Sequence, residues 1–164
     1  FSTIVALEKP QGYEIDSYLK VLLADKPTNF LSSEKKTERI VAVLTGLSYS
    51  DIRTVIFNAL KTVVLSGREC LTNCDVLKSV YLYSNHAVEH EDDFIAFLLG
   101  NGVTHKEANV FLEIPLRKIQ SISKALERKR DYQLSSLLRV KLMNSVLKEV
   151  VIPILLNGYL QGRS

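Results

Sequence analysis

Apolar residues recur at intervals of three and four through most of this chain, which is the spacing that places side chains on one face of a helix. The first half predicts four such helices. EIDSYLKVLLAD forms the first and is ended by Pro27. The second follows a cap at Ser32 or Ser33 and runs to Gly46.

The third and fourth helices are each introduced by a capping sequence. Ser48 with Asp51 is a variant of the capping box, and Gly67 is a suitable residue to follow the third helix. Thr72 with Asp75 repeats this start for the fourth helix. Capping, worth about 1 kcal/mol, is a sufficient explanation for Ser48 and Asp51 without any ligand.

The segment SNHAVEHEDD, residues 84–93, is polar and acidic and is the best candidate for a domain boundary. Beyond it, DFIAFLLGNG, THKEANVFLEI, PLRKIQSISKALERKR and DYQLSSLLRVKLMNSVLKEV predict four helices, with a short fifth after Pro153. Only STIVALEKP, residues 2–10, predicts a strand. The pattern therefore predicts an all-α protein of two modules, residues 1–84 and 85–164.

Composition places the chain among soluble globular proteins, with 46% hydrophobic and 24% charged residues over 164 positions. A net charge of +3 is too small to indicate nucleic acid for the whole chain. The longest apolar run, VIPILL, is far shorter than the roughly 18 residues of a membrane span. Cys70 and Cys74 lack further ligands at zinc spacing, which predicts free thiols in a reducing, cytoplasmic compartment.

Four pieces of residues 1–83, in order, resemble the end of an AAA+ ATPase core and its helical lid. Phe1 to Pro10 resembles the strand exit "RFD…I.L..P", and the helix holding Tyr18 resembles "R..IL...L". TGLSYSDI at 45–52 resembles "T.G.SGADI", and LTNCDV at 71–76 resembles the closing "IT..DV".

The resemblance implies a role for the start of the third helix, because the lid points that end at the nucleotide. Backbone N–H groups and the helix dipole favour polar or anionic groups there. Gly46, Tyr49 and Ser50 would lie nearest the adenosine and phosphates. Tyr49 and Ser50 replace a small Gly-Ala pair. Arg53 stands close to the usual phosphate-contacting arginine and is either that contact or a solvated or inter-subunit arginine.

No catalytic residue is predicted within the chain. The phosphate-binding G-x-x-x-x-G-K-[ST] loop and the apolar strand ending in Asp-Glu that holds Mg²⁺ are both absent from the sequence. The family's arginine finger would fall before Phe1. The resemblance implies the C-terminal part of a longer ATPase whose N-terminal core binds ATP with Mg²⁺ and whose subunits form a homo-oligomeric ring.

The second module contains a segment, GVTHKEANVFLEIPLRKIQSI, that resembles bacterial helix-turn-helix sequences of the kind KEAARLLGIPLRTIQRI. Thr104 with Glu107 forms a capping box, and Pro115 occupies the first position of the next helix. Glu113 replaces the turn glycine, at a cost of about 1 kcal/mol for a left-handed conformation. The helix-turn-helix-like element spans 104–122.

Charge in the second module favours an anionic partner, with nine cations against two anions between Ile114 and Lys148. A recognition helix there could reach a major groove while the following ERKR meets phosphates. A helical bundle with basic exposed faces, or a protein-binding module, explains the same pattern. The candidate DNA-binding residues are Arg117, Lys118, Gln120, Ser121, Lys124, Arg128, Lys129 and Arg130.

His86 and His90 are four residues apart, with Glu89 between them, but the order H-E-x-x-H is absent and no metal site is predicted. Two hypotheses of different classes remain. The first is the lid and accessory helical domain of a cytoplasmic AAA+ ATPase, which senses nucleotide and contacts neighbouring subunits without catalysis of its own. The alternative is a non-enzymatic DNA-binding or adaptor protein that uses residues 104–122.

Overall fold

A computed structural model describes residues 9–146, with the side chains of all except residues 142 and 144–146. This part is all-helical, as predicted; it holds no named strand, only an isolated parallel bridge between Thr28 and Leu71. Nearly all of the predicted strand, and the helix after Pro153, lie outside the described residues. The helices are α1 (Gly12–Leu22), α2 (Glu34–Leu44), α3 (Tyr49–Leu65), α4 (Asn73–Asn85), α5 (Glu91–Gly100), α6 (His105–Leu112) and α7 (Leu116–Val146).

The predicted caps begin the helices of the first half. Ser33, one of the two candidates, caps α2. The Ser48 hydroxyl accepts the Asp51 backbone N–H at 3.1 Å. At α4, Thr72 and Asp75 form a reciprocal capping box in which each side chain accepts the other's backbone N–H. The local sequence therefore determines where these helices start.

Left-handed residues end two of the helices where the sequence indicates. After α3, Gly67 has a φ of 72° and the Arg68 N–H donates to the Val63 carbonyl at 3.1 Å, which is the Schellman arrangement. After α6, Glu113 has a φ of 56°. Glu113 therefore keeps the left-handed conformation although it is not glycine, and the turn is not reshaped at this residue.

The chain divides into two compact units, residues 1–122 and 123–164. In the first, α4 contacts α2, α3, α5 and α6, and α1 packs on α2. The predicted boundary near residue 84 lies within this unit, where Tyr81 of α4 contacts Phe94 and Phe97 of α5. Its largest fully buried side chains include Ile15, Leu19, Phe30, Ile40, Ile52, Ile56, Leu71, Leu77, Ile95 and Leu98.

One prediction for the second half is wrong: the two helices expected from PLRKIQ and from DYQLSS are the single 31-residue helix α7. Between Leu116 and Val146 the sequence has no glycine or proline, so nothing in the backbone stops the helix at Asp131. In the second unit the described residues are the remainder of α7. Among the described helices, none combines the length and the apolarity that a membrane crossing requires.

Candidate functional site

The first turn of α3, the predicted nucleotide-facing end, is held against α1 by Tyr49. Its ring meets the Tyr18 ring edge-to-face, with centroids 5.0 Å apart. Its hydroxyl donates to Glu14 Oε2 at 3.1 Å. Both partners belong to α1, so this contact fixes the angle at which α3 begins.

The same turn is tied to the end of α4. The Tyr83 hydroxyl donates to Asp51 Oδ1. This hydrogen bond, and then those from Ser48, hold the pKa of the Asp51 carboxyl below its ordinary value. The start of α3 is therefore linked to two other helices through tyrosine–carboxylate pairs. Nothing in the sequence indicated that Glu14, Tyr18 and Tyr83 contact this turn, because they lie on other helices and share no motif with TGLSYSDI.

The remaining predicted nucleotide-binding residues lie on the outer side of this turn. Gly46 has a φ of 97°, and a Cβ there would meet no atom within 4 Å. Ser50 and Arg53 are exposed. The Arg53 guanidinium lies over the Phe57 ring, 5.0 Å from its centroid, which directs it along the helix and away from the first turn.

The electrostatics of this helix end favour the uncharged part of a nucleotide. The Asp51 and Glu14 carboxylates both lie at the first turn and neutralise the positive end of the helix dipole. A phosphate brought there would be repelled by two negative charges. The residues present therefore fit a base or ribose better than a phosphate.

Replacing Tyr83 with phenylalanine is expected to weaken the pH dependence of stability in acid. The folded pKa of Asp51 lies below its usual 3.8. Its contribution is therefore present above about pH 4 and is lost as the pH falls through the folded pKa. Tyr83→Phe removes the first cause of that shift, so the free energy of unfolding should fall less steeply below about pH 4. Urea titrations at several pH values measure this. Tyr13→Phe, at an exposed tyrosine of α1, is the control, and identical slopes for both variants and the parent would contradict the assignment.

The predicted helix-turn-helix element corresponds to α6, residues 113–115 and the start of α7. Thr104 and Glu107 form the predicted capping box, and Lys36 of α2 pairs with Glu107 Oε2 at 3.2 Å. Burial raises the pKa of Glu107, but hydrogen bonds from Thr104 and Lys36 outweigh it and the pKa is lowered. Asn109 Nδ2 donates to the Ile114 carbonyl and closes the turn.

The candidate DNA-binding residues of the first unit are exposed on the first turns of α7: Arg117, Lys118, Gln120 and Ser121. Lys118 is already engaged, with its Nζ 2.6 Å from Glu91 Oε1 and 3.8 Å from Asp92 Oδ1. The hydrogen bond to Glu91, followed by the nearby charges, raises the pKa of Lys118. The acidic start of α5 therefore lies beside the proposed recognition helix and opposes an approaching phosphate.

The second unit carries the other four candidates, Lys124, Arg128, Lys129 and Arg130, all exposed on α7. Within the described part of the chain, none of them forms an ion pair. Lys124 and Arg128 are four residues apart and share a side of the helix. Arg130, two residues further, lies on a different side.

Two histidines and both cysteines are candidate metal ligands or reactive groups. His86 is the left-handed residue after α4, and His90 precedes α5. No group of three or more His, Cys, Asp or Glu within residues 9–146 has the geometry to hold a metal ion. Both cysteines are free thiols. Burial, then the charges of Glu107 and Asp75, raises the pKa of Cys74 to about 12, so this thiol stays protonated near neutral pH.

A partly buried polar cluster joins the loop before α2 to the start of α4, and sequence spacing indicated only its Thr72–Asp75 pair. Asn29 Nδ2 donates to Asn73 Oδ1 at 3.1 Å, and the Asn73 N–H donates to Asn29 Oδ1 at 2.8 Å. Asp75 accepts both the Thr72 hydroxyl and the guanidinium of Arg68. The two asparagines are 44 residues apart, so only folding brings them together.

Comparison of the chain with protein-family models, with curated proteins and with solved structures found no match. The likeness of residues 1–83 to an AAA+ lid therefore rests on the sequence motifs alone.

Proposed function

We propose that this chain is the lid and accessory helical domain of an AAA+ ATPase, which contributes to ATP binding, nucleotide-state sensing and subunit or partner contacts without catalysis of its own. The observation that carries the proposal is the first turn of α3. Hydrogen bonds join this turn to α1 and α4. Gly46, with open space around its Cα, and the exposed Ser50 leave the rest of the turn accessible to a ligand. A helix end of this kind receives a ligand without repacking the core.

The hydrogen bonds from this turn to α1 and α4 also suggest how nucleotide occupancy is sensed. A base or ribose would contact Gly46, Tyr49 and Ser50 in this turn. The same turn is hydrogen-bonded to Glu14 through Tyr49 and to Tyr83 through Asp51. A shift of this turn would therefore be passed to α1 and α4. ATP with Mg²⁺ would be held by the N-terminal core of the same protein, in a cytoplasmic homo-oligomeric ring.

Binding of a fluorescent ATP analogue to the full-length protein tests the proposal. Ser50→Glu places a third carboxylate at the first turn and is expected to raise the nucleotide Kd about tenfold, which corresponds to about 1.4 kcal/mol. Asn58→Glu adds the same charge two turns further along the exposed side of α3 and should leave the Kd unchanged. Equal Kd values for the two variants would rule out the first turn of α3 as a nucleotide contact.

A second candidate function is DNA or protein binding by the element at 104–122 together with the basic part of α7. The exposed cations at 124 and 128–130, without ion pairs among the described residues, favour an anionic partner. A duplex titrated over a range of salt distinguishes the two partners. Phosphate contacts make log K fall linearly with log salt, so an absence of affinity even at low salt would leave protein binding as the role of this surface.

A further inference from the structure

We propose that a cleft between α4 and α6 binds an acidic segment of a partner protein that inserts an apolar side chain. The cleft has a volume of about 920 Å³ and lies within the first unit. Its walls are the end of α3, the start of α4 and the outer side of α6. It is separate from the nucleotide-facing turn of α3 and does not depend on the nucleotide proposal.

One wall of the cleft is apolar and incompletely covered. Val110 of α6 is 69% exposed, and Phe111 and Leu112 beside it are half-buried. Single exposed apolar residues are ordinary, but these three are neighbours that line one concavity. A side chain inserted here would remove apolar surface from water on both partners, at roughly 25 cal/mol per Å².

The charges at the cleft favour an anionic occupant. Three carboxylates line the cleft: Asp75 is paired with Arg68 and Glu107 with Lys36, and Glu113 is the one without an ion pair among the described residues. Lys78 of α4 and Lys106 of α6 also line the cleft, and within residues 9–146 neither forms an ion pair. The two lysines stand on different walls and can receive carboxylates on both sides of an apolar anchor.

The polar groups of the cleft favour a peptide over a small molecule. A small-molecule site usually aims a few fixed polar groups at its ligand. Here Asn29 and Asn73 are bonded to each other, and Asp75 to Arg68 and Thr72. Among the described residues, no buried side-chain polar atom lacks a partner. The groups left for a ligand are therefore apolar surface, two lysines and the single carboxylate of Glu113, and the two lysines suit carboxylates flanking an apolar residue.

The test is an NMR titration of the ¹⁵N-labelled chain with a short synthetic peptide in which leucine and phenylalanine are set among aspartates and glutamates. The amide signals of residues 72–78 and 106–112 are expected to shift. The same peptide with lysines in place of its acids should cause no shift there. Affinity should fall with rising salt, since the lysines are accessible to solvent ions.

Two variants locate the binding. Lys78→Glu/Lys106→Glu is expected to raise the peptide Kd at least tenfold, and Val110→Asp to raise it similarly. The controls are Lys9→Glu/Lys20→Glu, which makes the same change in net charge at two exposed lysines outside the cleft, and Val64→Asp, at a valine that is 73% exposed on α3. Both controls should bind the peptide as the parent does. The proposal is overturned if the acidic peptide leaves the cleft amides unshifted at millimolar concentration, if the charge-reversed cleft binds it as well as the parent, or if a DNA or RNA oligonucleotide shifts the same amides and displaces the peptide.

Discussion

Replacing Phe30 with alanine is expected to lower the free energy of unfolding by about 3–5 kcal/mol, the cost of removing a fully buried aromatic side chain. Phe30 is 0% exposed in the loop between α1 and α2. Its carbonyl also accepts the Thr37 hydroxyl at 2.6 Å and the Ser33 N–H at 3.0 Å. These hydrogen bonds hold the loop backbone at the start of α2, so the loop cannot easily move into the cavity left by the ring.

Such a loss would be a large share of the 5–15 kcal/mol that stabilises a typical domain. Urea unfolding followed by circular dichroism measures it. Phe57→Ala is the matched control, because this phenylalanine of α3 is 43% exposed and contacts the Arg53 guanidinium at the surface. It should cost about 1 kcal/mol or less. Similar midpoints for Phe30→Ala and the control would show that Phe30 does not occupy the core.

The second large effect concerns the ion pair between Arg68 and Asp75. The Asp75 side chain is 1% exposed, whereas that of Arg68 is 40% exposed. The two Nη–O distances are 3.0 and 2.6 Å. Arg68→Ala leaves a buried carboxylate with Thr72 as its remaining side-chain partner, and should destabilise the chain by about 2–3 kcal/mol.

Because Asp75 is buried and Arg68 is partly exposed, a second substitution at Asp75 is expected to restore stability, whereas a simple loss of contacts would lower it further. Adding Asp75→Asn to Arg68→Ala removes the stranded charge while keeping an oxygen that can accept the Thr72 N–H. The double variant should therefore be more stable than Arg68→Ala alone by about 1 kcal/mol. Urea unfolding of the parent, both single variants and the double variant completes the cycle. A double variant less stable than Arg68→Ala would show that the carboxylate tolerates the loss of its partner.

Local sequence predicted the helices well because their boundaries depend on short-range chemistry. Ser48 and Thr72 accept N–H groups only three residues away, and Gly67 and Glu113 act at the adjoining turn. The wrong break within α7 has the same origin. The charged run ERKRD contains neither glycine nor proline, so the backbone has no reason to end the helix there.

The sequence predicted only the part of the candidate nucleotide site that lies at the start of α3. TGLSYSDI identified Gly46, Tyr49 and Ser50. Glu14, which bonds Tyr49, and Tyr83, which bonds Asp51, lie 35 and 32 residues away from those partners. Sequence spacing relates residues within one element but carries no information about which elements meet. For the same reason the ion pairs of Lys118 with the acidic start of α5 could not be predicted from the basic pattern of α7.

The sequence by itself determined the helical class and the starts of α2, α3, α4 and α6, because hydrophobic period and capping act over a few residues. Only the tertiary structure decided what surrounds those helices. Contact between α1 and the start of α3 brought the Glu14 carboxylate to the proposed nucleotide-facing turn, and packing of α6 near α4 formed the cleft lined by Lys78, Lys106 and Val110. These outcomes depend on burial of apolar faces from distant segments, which no local pattern encodes.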